Sequence, residues 1–174
     1  MKFEIRNHRL YRDGEPVEFR RSPNQSGRMT PVGVLSHSTA DHLYPWDGLA
    51  WLTKKGSKVS AHVHIDRDGN PVQLVEFDRI AYHAGKSEWN GQSGCNGRFI
   101  GIELDSPGKL TKRGDKAVAW FGDTYPLSDV KYAKTPEHGA GYWMPYTDKQ
   151  LETHYAILAA LGAAYPTISE HLRH

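Results

Sequence analysis

The chain has 174 residues, 38% of them hydrophobic, and a formal charge of +2 from 22 basic and 20 acidic side chains. That length supports a single domain with a real core, and the near-even charge gives no electrostatic case for a nucleic-acid partner. No apolar run reaches the ~20 residues of a membrane span, so no membrane partner is expected, and the single cysteine, Cys95, excludes an intramolecular disulfide or a thiolate zinc cluster.

The opening Met-Lys-Phe-Glu-Ile-Arg places an acid where a secretory leader needs apolar residues, so the chain is expected to be cytoplasmic as synthesised. Seven Lys or Arg against four acids in the first thirty residues read as a solvated face. Lys2 to Ile5 and Val17 to Phe19 are short alternating runs around the turn signal Asp13-Gly14, which predicts an N-terminal hairpin within residues 1–30. Arg20 to Thr30 is polar and loop-like. Val32-Gly33-Val34-Leu35 is a nearly continuous apolar run that predicts a buried central strand ending at Ser36-His37-Ser38-Thr39. A helix is expected over Trp46 to Lys55, stopped at Gly56. Val59 to Ile65 then alternates as a strand, and Arg67-Asp68-Gly69-Asn70 turns it into Pro71 to Val75.

In Phe99-Ile100-Gly101-Ile102-Glu103-Leu104-Asp105, alternation puts the isoleucines and Leu104 on one strand face, and Gly101, Glu103 and Asp105 on the other. On the segment alone the plainer reading is an edge strand whose polar face meets water. Gly101 nevertheless leaves the neighbourhood of the acid open to a ligand or a second backbone. Residues 106–146 carry Pro107, Pro126, Pro136 and Pro145 with many aromatics, which predicts a long structured loop pinned to the body by its rings. Thr147 and Gln150 form a capping-box signature for a helix whose Leu151, Tyr155, Leu158 and Tyr165 recur until Pro166. Together these elements predict an α/β fold, a mixed central β-sheet flanked by helices, in a single domain.

Ten histidines raise the question of a metal. His62 and His64 share a strand face, but no carboxylate or cysteine stands near them at a ligand spacing, so a structural role is the expectation. His37 is better placed, because strand ends in α/β sheets border the crevice where ligands collect. His171-Leu172-Arg173-His174 offers two more imidazoles. There is no Gly-x-Ser-x-Gly for a serine hydrolase and no lysine in Gly91-Gln92-Ser93-Gly94 for a phosphate loop.

The words Ser36-His37-Ser38-Thr39, Val59 to Gly69, Ala81-Tyr82-His83-Ala84-Gly85, Asn96 and Ile100 to Leu104 occur in the order of the zinc-dependent N-acetylmuramoyl-L-alanine amidases. From Pro31 onward the chain resembles that family, which includes phage endolysins, anhydromuramyl-peptide amidases of peptidoglycan recycling and animal peptidoglycan recognition proteins. The opening Asn7-His8-Arg9-Leu10-Tyr11 also resembles bacterial and prophage members. The resemblance implies a zinc ion in a groove that accepts peptidoglycan or muropeptides, and hydrolysis of the amide between the lactyl group of N-acetylmuramic acid and L-alanine.

Carried over by position, the resemblance makes His37 the first zinc ligand and Glu103 the catalytic carboxylate. His174 matches the second ligand better than His171, and His83, Asn96 and Tyr82 fall in words that line the substrate groove. The family's third ligand, an Asp or Cys near a Lys, would follow His174, so residues 1–174 read as one amidase domain ending before it. The alternative is a peptidoglycan-binding module with an incomplete metal site. In the enzyme reading, a zinc with one open position brings bound water near a pKa of ~7 and polarises the carbonyl, while Glu103 moves the proton to the leaving amine.

Overall fold

Two tight turns set the N-terminal layer of the computed structural model, which describes residues 1–43, 47–135 and 138–171. β1 (Phe3–Arg6) turns through Asn7-His8 into β2 (Arg9–Arg12), and Asp13-Gly14 returns the chain into β3 (Glu15–Pro16). All four turn residues have positive φ, as two-residue hairpin turns of this hand demand. The expected hairpin is therefore a three-stranded sheet. Asp13-Gly14 does turn the chain, but the turn at Asn7-His8 carries no glycine to announce it. Val17 to Phe19 makes only a single bridge, from Phe19 to Gln73. Buried Gln73 fastens this layer to the body: its Oε1 accepts from Leu10 N at 2.9 Å and its Nε2 donates to His8 O at 3.0 Å.

β4 (Gln25–Arg28) forms in the stretch expected to be loop, pairing antiparallel with a later strand, β8 (Arg79–Ala81). The principal sheet is built from β5 (Gly33–Ser38), β6 (Val63–Ile65), β7 (Pro71–Gln73) and β11 (Phe99–Leu104), in the order β5-β11-β6-β7. β5 and β6 both run parallel to β11, and β7 closes the sheet antiparallel to β6. The hairpin of β9 (Glu88–Trp89) and β10 (Gln92–Ser93) lies on the path into β11. The central and edge assignments are thus exchanged relative to expectation. The apolar run at Val32 to Leu35 forms the half-buried edge strand β5, whereas the acid-bearing segment is the inner strand β11. Run length misled because β11 is covered on one face by apolar packing and on the other by polar side chains.

Three helices flank this mixed sheet: α1 (Asp47–Thr53), α2 (Asp148–Ala164) and α3 (Pro166–His171). α1 lies within the expected helix, whose start at Trp46 falls outside the described residues, and Gly56 follows with φ of 86°. The strand expected from Val59 begins only at Val63. On one face of the sheet Val63, Ile65, Ile100, Ile102 and Leu104 pack with Ile157, Ala160 and Leu161 of α2 and Ile168 of α3. Burying each such side chain contributes about 1.5–3 kcal/mol. Beneath α1, Leu49 and Leu52 meet Ala61, Val72, Leu74 and Val75 in a second cluster.

The segment expected to be a long loop is instead a five-stranded antiparallel sheet. Its strands are β12 (Lys109–Arg113), β13 (Lys116–Val118), β14 (Thr124–Pro126), β15 (Lys131–Thr135) and β16 (Gly139–Trp143), in the order β14-β13-β12-β16-β15. Gly114, Gly122 and Gly139 have positive φ and mark turns between short strands, which is why the punctuation resembled loop. Phe121, Tyr125 and Tyr142 pin the sheet around Leu110, Ala117 and Val130. Trp120 is 79% exposed, although its Nε1 donates to Ala40 O at 2.9 Å. His42 Nδ1 pairs with Asp123 Oδ2 at 2.8 Å, which ties this sheet to the segment that follows β5.

The capping box forms as the sequence implies: Thr147 Oγ1 accepts from Gln150 N and Gln150 Oε1 accepts from Thr147 N, both at 3.1 Å. The buried face of α2 differs from the expected one. It carries Gln150, Thr153, His154, Ile157, Ala160 and Leu161, while Tyr155 is exposed. Polar residues face inward because each meets a partner: Gln150 Nε2 donates to Asp105 O, Thr153 Oγ1 to Gly69 O, and His154 Nε2 meets Ser36 Oγ. Pro166 stops α2 and opens α3, whose first turn has no need of its missing N–H. Among the described residues no helix is long and apolar enough to cross a membrane. Thr147→Ala is expected to lower unfolding free energy by about 1 kcal/mol in urea titrations, whereas Thr147→Ser should retain most of the wild-type stability.

Candidate active site

β11 separates two environments. Its isoleucines face α2, and Gly101 and Glu103 face the opposite side, under α1. Register pairing places His37 of β5 beside Glu103 and His64 of β6 on its other flank, so three parallel strands present an imidazole, a carboxyl and an imidazole in one row. Glu103, at the centre of the row, borders a cavity of about 220 Å³ lined by Thr39, Gly48, Trp51, Tyr82 and His83 among others.

Gly101 admits a fourth imidazole to this face, after His37, His62 and His64. A Cβ there would lie 2.4 Å from Cγ of His83, so only glycine lets that ring rest on the strand. Asn96 Oδ1 accepts from His83 N at 3.0 Å and from Ala84 N at 2.7 Å, which fixes the backbone that presents the ring. His83 Nε2 lies 3.0 Å from Phe99 O and must donate to it. Burial lowers the His83 pKa to about 4, so the ring is neutral and its Nδ1 is an acceptor. His37 Nε2, at 3.0 Å from that Nδ1, therefore carries a proton, and the His37 lone pair is left on its own Nδ1. Burial also lowers the His37 pKa, which favours the neutral ring and its Nδ1 lone pair.

Glu103 is pushed up to a pKa of about 7 by burial, and its Oε2 is buried without a hydrogen-bond partner among the described residues. Asp105 is pushed up to about 6, chiefly by burial, against the opposing effect of the Thr39 hydroxyl that donates to it. His62 is structural, as expected: its Nε2 donates to Arg79 O at 2.9 Å and its Nδ1 accepts from Gly101 N at 3.0 Å. Full burial lowers its pKa to about 3.

The structure thus brings together Glu103, His37, His83 and Asn96, and puts Tyr82 on the cavity wall, where its N–H donates to Ser60 Oγ at 2.8 Å. His174 lies outside the described residues. Among the described residues no group of three His, Cys, Asp or Glu side chains is arranged to hold a metal ion. Sequence reasoning missed Thr39 and Trp51 as cavity residues and gave His64 no place beside Glu103. The alternation of Val63, His64 and Ile65 fixed its face, but the strand that would lie next to it was not legible.

A family description of N-acetylmuramoyl-L-alanine amidase matches residues 27–174. The chain belongs to that family. The 1,6-anhydro-N-acetylmuramyl-L-alanine amidase AmpD of Escherichia coli is 32% identical over 115 residues, 66% of this chain and 44% of that protein. The N-acetylmuramoyl-L-alanine amidase AmiD of Escherichia coli is 34% identical over 117 residues, 63% of this chain and 41% of the relative. The matched stretch thus spans less than half the length of these curated relatives. A crystal structure of a selenomethionine AmpD derivative superposes with a TM-score of 0.59 at 26% identity, covering 88% of this chain and 78% of the other. The Escherichia coli AmiD complex with anhydro-N-acetylmuramic acid-L-Ala-D-gamma-Glu-L-Lys shares the fold at a TM-score of 0.56 and 22% identity, covering 94% and 52%. The α/β amidase-family fold with a mixed sheet and flanking helices is therefore the fold of this chain.

Gly101→Ala is expected to drive the His83 ring off β11, break the His37 to His83 hydrogen bond, and cost about 1–3 kcal/mol through overpacking. Histidine ring signals in NMR spectra and urea titrations read both effects. Stability should also fall on acidification. His62, His64 and His83 have folded pKa values near 3, 4 and 4, below the unfolded 6.5, so the unfolded chain binds more protons as pH drops from 6.5 to 4. Glu103 and Asp105, raised to about 7 and 6, act in the opposite sense, which leaves at least one imidazole unbalanced. Urea titrations across this window should show unfolding free energy falling as the pH is lowered.

Proposed function

We propose that the chain is a zinc-dependent amidase that cuts the bond between the lactyl group of N-acetylmuramic acid and L-alanine in peptidoglycan or muropeptides. Family membership supports the reaction class, and the names of its relatives, which act on 1,6-anhydro-N-acetylmuramyl-L-alanine compounds, point to muropeptides as the substrate. The observation that carries the reading is Glu103: a carboxyl on the inner strand, raised to a pKa of about 7 by burial, opening into a cavity.

Among the described residues one donor suits a zinc ion by its chemistry. The Nδ1 lone pair of His37 is free in a ring kept neutral by burial, and the tautomer is fixed by His83. His37 and, by resemblance, His174 would hold the ion. When bound, zinc supplies Lewis acidity, polarising the amide carbonyl and making nearby water more acidic. Glu103 takes one proton from the attacking water and returns it to the departing alanine nitrogen as the carbon–nitrogen bond breaks. A carboxyl with a pKa near 7 performs both transfers at neutral pH. Asn96 and His83 hold His37 in place, and Tyr82 forms the wall against which the muramyl end packs. A module that only bound its ligand would need no carboxyl here.

Glu103→Gln preserves the shape of the carboxyl and removes the proton carrier. The expected result is a 10²- to 10⁴-fold lower kcat with muropeptide binding retained, read by chromatography of released alanyl peptides and by calorimetry. Chelation should abolish turnover in the wild type, and added zinc should restore it. Wild-type turnover in Glu103→Gln, or full activity after complete metal removal, would overturn the proposal.

A further inference from the structure

Two buried polar atoms on neighbouring strands have no hydrogen-bond partner among the described residues: Oε2 of Glu103 and Nε2 of His64. Their residues are paired in register across β11 and β6, so both side chains leave the same face of the sheet. His64 is only 4% exposed, and its Nε2 is buried beneath α1. α1 passes over it so closely that a Cβ on Gly48 would lie 3.6 Å from Nε2 and 3.2 Å from the Thr39 methyl. Gly48, Thr39 and Glu103 all line the cavity, and His64 Nε2 lies behind the Gly48 and Thr39 part of that wall, on the strand next to Glu103.

The other polar groups on this face are already engaged. His37 and His83 bond to each other, and His62 bonds to Arg79 O and Gly101 N. Asp66, the acid with the strongest field on His64, accepts from Asp68 N, Asn70 N and Asn70 Nδ2. Tyr146, ahead of α2, is a further titratable neighbour of Glu103. A buried polar atom left unpaired destabilises the fold, and a leucine would fill the place of His64 without that cost.

We propose that His64 is the positioning residue for Glu103: its Nε2–H donates to Oε2, directly or through one water, and holds the carboxylate in the orientation that meets the reacting amide. Burial keeps the ring neutral, with a pKa of about 4, so it offers a single donor and adds no charge that would suppress proton uptake by the acid. Hydrogen bonds of this kind are long in the free protein and tighten when substrate fills the site. The inference rests on the amidase reading. It adds a residue that resemblance did not assign.

The test uses the full, zinc-loaded chain with H64L, H64Q and E103A variants. H64L should lower kcat about 10- to 100-fold with KM unchanged and with a melting temperature no lower than wild type. H64Q, which keeps an N–H donor, should recover most of that loss. Independently, the Nε2–H signal of His64 in ¹⁵N NMR spectra of the metal-free chain should move on E103A. Wild-type kcat in H64L, equal damage in H64L and H64Q together with lost stability, or a His64 signal indifferent to E103A would each overturn the proposal. A wild-type chain without turnover would defeat the amidase reading alone, because the NMR response still decides whether the two side chains are coupled.

Discussion

Glu103 is carried into the interior by the strand that the rest of the sheet is built on, and this constraint organises its surroundings. Ile100, Ile102 and Leu104 anchor β11 to α2, so the strand cannot turn its other face outward without losing that packing. The carboxyl is therefore held where water solvates it poorly, and its pKa rises toward neutrality. A strand with one apolar face fixes the position of the acid, and the cover on its other face sets its chemistry.

That cover is largely imidazole. His37, His62, His64 and His83 are all kept neutral by burial, so the acid faces donors and acceptors and no formal positive charge that would drive its pKa down. Their order is also fixed. Asn96 holds the backbone at His83, Phe99 O sets the tautomer of His83, and His83 sets the tautomer of His37. Gly101 makes the arrangement possible, since any larger residue would occupy the volume of the His83 ring. The outer sheet of β12 to β16 reaches the same region through Asp123 and Trp120, which hold the segment after β5 at His42 and Ala40.

Much of this was legible in the residues. The alternation around Glu103, the capping box at Thr147, the turn at Asp13-Gly14 and the strand end at His37 each depend on neighbours close in sequence, and each appears in the fold. The failures share a cause. The residues suggest β5 as central and β11 as an edge, because a run of apolar residues reports how much of a strand is covered and not which strands lie beside it. The buried face of α2 was misread because Gln150, Thr153 and His154 find partners on Asp105, Gly69 and Ser36, all far away in sequence. The residues of β12 to β16 read as loop in the sequence because the strands are short and glycines and prolines stand between them.

By itself the sequence determined the local preferences and the chemical inventory: which residues alternate, where turns and caps fall, and which motifs place the chain beside the amidases. Side-chain size, backbone freedom and hydrogen-bonding capacity act within a few residues, and they need no fold to be read. Only the tertiary structure decided that His37, Glu103 and His64 stand in one row, that His83 rests on Gly101, and that Glu103 is buried deeply enough to titrate near neutrality. Those properties arise from strand order and from desolvation by distant segments, and neither is a function of any stretch of chain taken alone.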